Sequence, residues 1–323
     1  MKDLKISIVI PFYNDPFIGE CLNTLMNQEY PMDKYEIIVV DNLSDSKYRT
    51  NVKAYQSNIT LVNQPIKGSY YCRNVGISLC NFDVIAFTDS DCAVDSQWLR
   101  AINTTFQQSD NMVAALQGNS GVIKDNEVSQ AIYEKYSQTF HDYVISKEDG
   151  RYCNRIDTRN CAIKSSVIHE IGLFNEKMQI WGDAEMGQRI IQANYKIQYA
   201  DDMKVSHKNI NNIDTLVKKR IKEGINITKI LRKFGAKYTR KFFPEMLFVF
   251  VDFIDFETGI REKKEEINHL MNKYRSQQMG GDQDGDQKRI NQLICDLSNT
   301  AFILGTIEER LSLKESNRVY QTK

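Results

Sequence analysis

The chain has 323 residues, of which 41% are hydrophobic and 26% are charged, a composition typical of a globular protein with one large domain or two ordinary ones. Its 42 basic and 42 acidic residues cancel, so the charge gives no reason to expect a nucleic-acid partner. The seven cysteines are scattered and form no CxxC pair, which disfavours a zinc or redox motif and favours a reduced, cytosolic location.

The first half of the chain alternates predicted strands with predicted helices. Apolar runs predict strands in KISIVIP, YEIIVVD, ITLVN and DVIAFTD. Between them, helices are predicted in FIGECLNTLMNQ, in a stretch through Val52 and in GSYYCRNVGISLC. Alternation at this spacing implies parallel strands joined by crossover helices, and the near-continuous apolar strands indicate a sheet covered on both faces.

Three of these predicted strands end in polar residues. Residues 11–14 read PFYN, residues 41–42 read DN and residues 89–91 read DSD. Ligands bind beyond the carboxyl ends of the strands in such sheets, so the three ends predict one shared site. Two carboxylates one residue apart suit a hard divalent cation, although a solvated polar turn is the alternative. Because no glycine-rich phosphate loop is present, a diphosphate ligand would need a metal to neutralise it.

The middle and the end of the chain differ in character from the first half. NMVAALQGNSGV predicts a strand, EVSQAIYEKYSQTFHDYVISK a helix, RNCAIKSSVIHEIGLFNEK a strand with a short helix, and WGDAEMGQRIIQANYKIQYA a helix that leads into a strand. After about residue 210 long helical patterns follow, interrupted by a polar, glycine-rich segment near residues 276–287. The last third of the chain is therefore predicted to be helical.

Six segments in order along residues 5–208 resemble those of family 2 glycosyltransferases with the GT-A fold. They read SIVIPFYN, YEIIVVDNLS, GSYYCRNVGI, VIAFTDSD, RNCAIKSSVIHEIGLFNE and WGDAEMGQRI. The resemblance implies an α/β fold with a Rossmann-like mixed, mainly parallel sheet and a C-terminal helical appendage. It implies a catalytic domain at residues 1–210, with a nucleotide-binding half at 1–95 and an acceptor half at 96–210, and a helical region at 211–323.

The resemblance also implies which residues bind the nucleotide. Pro11 and Tyr13 lie where the family holds the nucleobase, with Tyr13 stacking on it. Asp41 and Asn42 lie where the base and ribose are bound. The family often has two acids there, so Asn42 is a departure. Arg73 belongs to the family's Arg-Asn segment beside the nucleotide.

A divalent metal, Mn²⁺ or Mg²⁺, is the cofactor that the resemblance implies. Asp89 and Asp91 form the DxD motif of the family. Asp91 is expected to be the direct metal ligand, and Asp89 is expected to lie nearer the ribose while still approaching the metal. His207 lies where many GT-A enzymes have a further metal ligand, and a purely structural histidine is the alternative.

The general base implied by the resemblance is Asp183. The family's acid motif is Glu-Asp, and here it reads Gly182-Asp183. The acceptor hydroxyl has a pKa far above 7, so it must lose its proton to a nearby base as it attacks. The alternative role for Asp183 is a helix N-cap. Trp181, Glu185 and Asn160 are expected near the donor or acceptor sugar, although Trp181 also suits a plain core position.

The implied reaction is an inverting transfer of a sugar from a nucleotide-diphosphate sugar. UDP is the family's commonest donor nucleotide, and a glycan, a cell-envelope polymer or a lipid-linked molecule is the expected acceptor. A nucleotidyltransferase is expected to have a glycine-rich, basic loop after the first strand, where this chain reads PFYNDPF. A non-catalytic sugar-nucleotide or glycan-binding module is expected to have a damaged set of acids. This chain has all three acids, Asp89, Asp91 and Asp183.

The C-terminal segments VKKRIKEGINITKILRKFG and EMLFVFVDFIDF admit two interpretations. They suit peripheral contact with an anionic membrane surface, or packing on the catalytic domain or a second subunit. No apolar run reaches the roughly 18 residues of a membrane span, and the N-terminal run is too short for a signal peptide. We therefore expect a cytoplasmic protein whose membrane contact, where there is any, is peripheral at the inner face.

Overall fold

The chain forms two compact units, which are described separately. The computed structural model describes residues 3–131, 133–134, 151–208, 212–234, 256–278 and 286–321. One unit consists of residues 1–123 and 144–209, and the other consists of residues 124–143 and 210–323.

The first unit is built on a mixed sheet of nine strands. They are β1 (Ile6–Phe12), β2 (Tyr35–Asp41), β3 (Thr60–Asn63), β4 (Val84–Thr88), β5 (Cys92–Val94), β6 (Val113–Val122), β7 (Tyr152–Cys153), β8 (Asn160–Lys164) and β9 (Lys196–His207). Their spatial order is β3-β2-β1-β4-β8-β6-β9-β5, and β7 also pairs with β9. The predicted mixed sheet is confirmed.

Helices connect these strands. They are α1 (Ile18–Met26), a 3₁₀-helix (Met32–Lys34), α2 (Ser46–Lys53), α3 (Ser69–Leu79), α4 (Trp98–Gln108), α5 (Ser165–Ile171) and α6 (Gly182–Gln192). The sequence did not lead us to predict α4, β5 or β7. The two strands have three residues and two residues, too few to show a period, and their pairing with β9 determines them.

Strands β1 to β4 make the parallel half of the sheet. β1 pairs in parallel with β2 and with β4, and β2 pairs in parallel with β3. In this register Phe12 lies opposite Asp41. The carboxyl ends of these strands therefore share one edge of the sheet, which brings residues 12–14, 41–42 and 89–91 to the same side of the unit, as the sequence predicts.

Strand β8 runs opposite to β1–β4, whereas β6 and β9 run in the same direction as β1–β4. β8 runs antiparallel to both β4 and β6 and places Asn160 opposite Thr88. β9 is parallel to β6 and antiparallel to β5, where His207 lies opposite Cys92. The start of β8 and the end of β9 therefore lie at the edge of the sheet where β4 ends. They add side chains from the second half of the unit to that edge.

The core of the first unit packs against both faces of β1. Alternate residues Ile8, Ile10 and Phe12 are fully buried in one cluster with the apolar side of α1. Val9 faces the other way and lies against α3 at Gly76. A strand enclosed on both faces explains the continuous apolar run in the sequence.

The second unit is helical, as predicted. It contains α7 (Ile213–Phe234), α8 (Phe256–Gln278) and α9 (Asp286–Gln321), together with helical residues 127–131. Its buried core is made of side chains from these four stretches, among them Val128, Leu216, Met271 and Leu297. None of the helices in the described ranges is long and apolar enough to cross a membrane.

Parts of three sequence predictions lie outside the described residues. The helix predicted in EVSQAIYEKYSQTFHDYVISK is helical at 127–131 and 133–134, and the remainder is not described. The apolar segment at 242–255 and the middle of the polar segment, 279–285, are likewise outside the description.

The close contact between α3 and β1 should make Gly76 sensitive to substitution. A Cβ atom at Gly76 would lie 2.3 Å from Cγ1 of Val9, a buried β-branched side chain with little room to rotate. We expect Gly76→Ala to lower the melting temperature by several degrees because it overpacks the core by about 1–3 kcal/mol. Gly19→Ala in α1 is the matched control, since its Cβ would meet Asn51 at an ordinary 3.7 Å. Equal melting temperatures for the two variants would contradict the packing described.

Candidate active site

The Asp-Ser-Asp turn after β4 is held in a defined shape. The Cys92 amide donates a hydrogen bond to the Asp89 carbonyl oxygen at 3.1 Å, which closes the turn. Ser90 Oγ donates to Asp15 Oδ2 at 2.7 Å, which ties the turn to the loop after β1. The carboxylates of Asp89 and Asp91 contact different partners as a result, and the two acids have different surroundings.

Asp91 lies beside His207 across the β5–β9 pair. Asp91 Oδ2 is 3.1 Å from His207 Nε2, and the Cys92 thiol donates to Asp91 Oδ1 at 3.7 Å. The ligand atoms of the three residues all lie within 4.8 Å of one another. His207 Nδ1 is buried and has no hydrogen-bond partner among the described residues.

This cluster fits a divalent cation of the Mn²⁺ type. Carboxylate oxygen and imidazole nitrogen suit such an ion, whereas thiolate favours softer metals. Burial, followed by the charges of Asp91 and Asp89, raises the pKa of the Cys92 thiol well above its ordinary value, so this thiol stays a hydrogen-bond donor. Asp91 and His207 are therefore the two side chains of this cluster that suit the ion. The metal ligation predicted for Asp91, Asp89 and His207 stays a prediction.

Asp89 is paired with a buried cation instead of with His207. Arg73 Nη2 lies 2.5 Å from Asp89 Oδ1, and the Arg73 guanidinium lies over the ring of Tyr70 at 5.3 Å from its centroid. Burial opposes the charge of Arg73, but Asp89, followed by Tyr70 and Asp183, raises the pKa of Arg73 above its ordinary value. The arginine is a fixed positive charge directly beneath the turn.

Asp183 lies in the first turn of α6 and is half-buried. Its Oδ2 accepts a hydrogen bond from the Thr158 amide at 3.3 Å. Its Oδ1 accepts from the Ala184 amide at 2.9 Å and from the Tyr70 hydroxyl at 3.4 Å. Burial, followed by the nearby Asp157, raises the pKa of Asp183, while Arg73 and the two amides act against the rise. A carboxyl group with a raised pKa is a stronger base once ionised.

Asp157 and Arg159 form an ion pair near Asp183 that the sequence analysis missed. Arg159 Nε lies 3.0 Å from both oxygens of Asp157. Burial alone would raise the pKa of Asp157, but the charge and hydrogen bonds of Arg159 hold it well below the ordinary range. Two carboxyl groups with opposite shifts in one neighbourhood are typical of an acid–base site. The only signal in the sequence was their position directly before β8.

The side of the edge predicted to hold the nucleobase is open. Tyr13 is 49% exposed, and Lys67 Nζ lies 5.2 Å from the centre of its ring. Pro11 precedes it in β1, opposite Val40. An exposed ring just past the end of a strand can stack on a base, and the stacking predicted for Tyr13 stays a prediction.

Asp41 and Asn42 are buried beside this ring and bind the protein's own loops. Asp41 Oδ1 accepts from the Ser44 amide at 2.8 Å, and Oδ2 pairs with Arg49 Nε at 2.6 Å. The Asn42 side-chain nitrogen donates hydrogen bonds to the carbonyls of Gln64 and Ile66, and its oxygen accepts one from the Gly68 amide, each at 2.8 Å. These contacts shape the wall of the nucleotide side, and direct nucleotide binding by the two residues stays a prediction.

Trp181 and Glu185 stand on the first turns of α6. Trp181 has a left-handed backbone with φ of 69°, unusual for a bulky residue and typical of functional sites. The Arg155 guanidinium lies 5.5 Å from its ring centre. Glu185 is buried, and its Oε2 pairs with Arg189 Nη2 at 3.0 Å. The contacts of Glu185 fasten the helix, and Trp181 precedes Asp183 by two residues. The sugar contacts predicted for Trp181 and Glu185 stay predictions.

Asn160 is fully buried at the start of β8. Its Oδ1 accepts from Trp98 Nε1 at 2.8 Å, and its amide nitrogen donates to the carbonyls of Asn119 and Met203 at 2.9 and 2.7 Å. The structure therefore uses this side chain to hold β6 and β9 where their register shifts. It does not bring Asn160 to the surface near Asp183, and the predicted sugar contact stays a prediction.

A mixed sheet with an Asp-Ser-Asp turn after β4, together with a half-buried acid in the first turn of α6, is the arrangement of a GT-A glycosyltransferase. The family model described as glycosyl transferase family 2 matches residues 7–168, which is half of the 323-residue chain. The chain belongs to this glycosyltransferase family. The predicted family and the GT-A fold are confirmed.

Two curated relatives are similar over more than half of this chain. Glycosyltransferase AglE of Haloferax volcanii is 30% identical over 205 residues, which are 61% of this chain and 65% of AglE. The second is a Methanococcus voltae enzyme named dolichyl N-acetyl-alpha-D-glucosaminyl phosphate 3-beta-D-2,3-diacetamido-2,3-dideoxy-beta-D-glucuronosyltransferase. It is 24% identical over 71% of this chain and 74% of its own length. This chain thus spans just under two thirds of AglE.

Solved structures share the fold at low sequence identity. The mannosyltransferase PcManGT from Pyrobaculum calidifontis, in complex with GDP-Man and Mn²⁺, has a TM-score of 0.60 and is 16% identical over 77% of this chain and 71% of its own. GalNAc-T7 with UDP, GalNAc and Mn²⁺ has a TM-score of 0.50 and is 16% identical over 64% of this chain and 44% of its own. At this identity the likeness establishes the fold.

The opposite pKa shifts of Asp183 and Asp157 predict opposite effects on stability. The raised pKa of Asp183 means that its ionised form costs the folded protein stability above that pKa, and the cost vanishes below the unfolded value of about 3.9. The lowered pKa of Asp157 means that its ionised form stabilises the fold above about pH 3.9. At pH 7 we expect Asp183→Asn to raise the melting temperature and Asp157→Asn to lower it. The Asp183→Asn difference should shrink as the pH falls to 4, whereas the Asp157→Asn difference should persist at pH 4 and shrink only at more acidic pH, toward the lowered pKa of Asp157 in the folded protein. Shifts of the same sign at pH 7 would refute the assignment.

Proposed function

We propose that the protein is an inverting, metal-dependent glycosyltransferase. It moves a sugar from a nucleotide-diphosphate sugar to a hydroxyl of a glycan, a cell-envelope polymer or a lipid-linked acceptor, and a UDP-sugar is the proposed donor class. The main observation that supports the proposal is the environment of Asp183. Its carboxylate has a raised pKa and connects through Tyr70 and Arg73 to the acid turn at Asp89.

Asp183 is proposed to act as the general base. It accepts the proton of the acceptor hydroxyl while that oxygen forms a bond to C1 of the donor sugar and the bond from C1 to the diphosphate breaks. Attack from the side opposite the leaving diphosphate inverts C1. Because the leaving group departs without a protein nucleophile, one base is sufficient. Asp157 stays paired with Arg159 and does not compete for the proton.

Asp91 and His207 are proposed to hold the divalent cation. When bound, the cation supplies positive charge that neutralises the diphosphate of the donor and of the leaving group. Asp89, fixed by Arg73, is proposed to face the ribose, and Tyr13 to stack on the base. Both structural neighbours are complexes with Mn²⁺ and a nucleotide or nucleotide sugar, which supports this division.

The proposed acceptor class is supported by the name of one relative. The proposed membrane contact is supported by exposed lysines on α7. The Methanococcus voltae enzyme is named for an acceptor that is a dolichyl phosphate-linked sugar, which supports a lipid-linked acceptor. Lys218, Lys219 and Lys222 are exposed along α7, a distribution suited to an anionic lipid surface. Cytoplasmic location with peripheral membrane contact, and pairing of subunits through the C-terminal helices, remain predictions.

A donor panel tests the function directly. The full chain is incubated with UDP-, GDP- and dTDP-sugars and Mn²⁺ or Mg²⁺, and release of nucleoside diphosphate is measured with and without added glycan acceptors. We expect release from one donor class, its loss with a chelator and its return with Mn²⁺. Asp183→Asn should lower turnover by about 10²- to 10⁴-fold while the affinity for the donor survives.

Asp202→Asn is the matched control, because Asp202 is exposed on β9. It should release nucleotide at the normal rate. Two results would contradict the proposal. One is Asp183→Asn that transfers sugar normally, and the other is release of pyrophosphate in place of nucleoside diphosphate, which indicates a nucleotidyltransferase. Donor binding without any release indicates a binding module.

A further inference from the structure

Gly182 and Tyr70 fit one another. Gly182 stands where the family's acid motif has a glutamate, immediately before Asp183. A Cβ atom built on Gly182 would lie 2.7 Å from both Cε2 and Cζ of Tyr70, closer than real side chains approach. The ring of Tyr70 thus fills the space into which a side chain at position 182 would project, and the glycine and the tyrosine require each other.

The ring of Tyr70 is buried and packs against Phe174 and Arg73. It is 5% exposed and stacks on Phe174 with ring centres 5.5 Å apart. The guanidinium of Arg73, one turn further along α3, lies 5.3 Å from its centre. A ring held in this way places its hydroxyl at one position relative to the start of α6.

The hydroxyl of Tyr70 meets the start of α6 at Asp183. Its oxygen accepts hydrogen bonds from the Gly182 amide at 2.8 Å and from the Asp183 amide at 3.4 Å. Its own proton is directed to Asp183 Oδ1, also at 3.4 Å. Burial, followed by the charge of Asp183, raises the pKa of Tyr70 well above its ordinary value, so the hydroxyl stays protonated and remains a donor.

We propose that Tyr70 is a positioning residue for the base, and that its hydroxyl stands beside Asp183 in place of the family's first acid. The proposal rests on the function proposed above. Among the residues that the structure describes, Oδ1 of Asp183 is occupied by the Tyr70 hydroxyl and the Ala184 amide, whereas Oδ2 has one partner, the Thr158 amide. Oδ2 is therefore the oxygen left to take the proton of the acceptor. A neutral donor in place of a second acid also spares the base a like charge.

The pH dependence of the rate follows from the groups that face Asp183. They include Asp157 from the segment before β8, the Cys161 thiol of β8, and Arg73 and Tyr70 from α3. A hydroxyl that donates to a carboxylate stabilises its ionised form, so removal of the hydroxyl raises the pKa of Asp183. The base works ionised and the rate climbs with pH through that pKa, so the acid limb of the profile moves to higher pH.

Tyr70→Phe, compared with the wild-type chain, tests the positioning role. Nucleoside diphosphate release is measured across pH 4.5–9 with saturating and limiting donor, and the melting temperature is recorded for each protein. We expect kcat to fall about tenfold, the donor KM to stay within about twofold, and the acid limb to rise by about half a pH unit. A lower melting temperature with unchanged kcat and an unchanged acid limb would overturn the proposal, because it indicates a purely structural tyrosine.

Asp183→Asn in the same assay separates the two proposals. If Asp183→Asn transfers normally, the base assignment fails irrespective of Tyr70. If Asp183→Asn is inactive and Tyr70→Phe is normal, only the positioning role fails.

A second pair of variants tests the fit between Gly182 and Tyr70 without reference to activity. Gly182→Ala should lower the melting temperature strongly in the wild-type chain, since the new methyl group meets the ring. In a Tyr70→Ala background the same change should have little effect or raise stability, because the ring is absent and alanine favours the helix. Equal losses in both backgrounds would overturn the proposed complementarity.

Discussion

The candidate site depends on one buried cation, the guanidinium of Arg73. It neutralises Asp89 at 2.5 Å and lies over Tyr70, and through that ring it reaches the start of α6. Removing one partner of a buried pair leaves the other charge uncompensated. The position of Arg73 is set by α3, which approaches β1 so closely at Gly76 that no Cβ fits against Val9. One helix, α3, therefore sets both the core packing at Gly76 and the place of the Arg73 charge.

The pKa values of two neighbouring carboxyl groups, Asp157 and Asp183, are shifted in opposite directions by their surroundings. Asp157 has a guanidinium of its own and stays ionised, while Asp183 shares the field of Arg73 with other groups and lies close to the charge of Asp157. The fold thereby keeps one acid inert and leaves the other able to take a proton. The stability given up at Asp183 is typical of functional positions, where the requirement for reactivity overrides the best packing of charges.

The sequence predicts the parallel half of the sheet and its polar edge, because apolar runs and turn residues are local signals. The pairing of β8 and β9 with the first half is long-range and has no local signal. The Cys92–His207 pair, on strands that meet only through the fold, could therefore not be derived from spacing. Gly182 was visible as a departure from the family's motif, but its partner Tyr70 lies 112 residues away. Asn160 was predicted near a sugar because its segment matches the family, and the structure shows its amide committed to Trp98 and two carbonyls.

The stereochemical outcome at the anomeric carbon tests whether Asp183 acts as a single base in an inverting transfer. A single base with no protein nucleophile allows only one displacement at C1. The measurement is the proton NMR spectrum of the product formed from an α-linked nucleotide sugar, recorded early enough to precede mutarotation of any free sugar. Because inversion converts an α-linked donor, we expect a β-linked product, with the large coupling constant between H1 and H2 that is typical of gluco-configured sugars. An α-linked product would contradict it, because retention requires a second displacement or an internal return that the site around Asp183 does not provide.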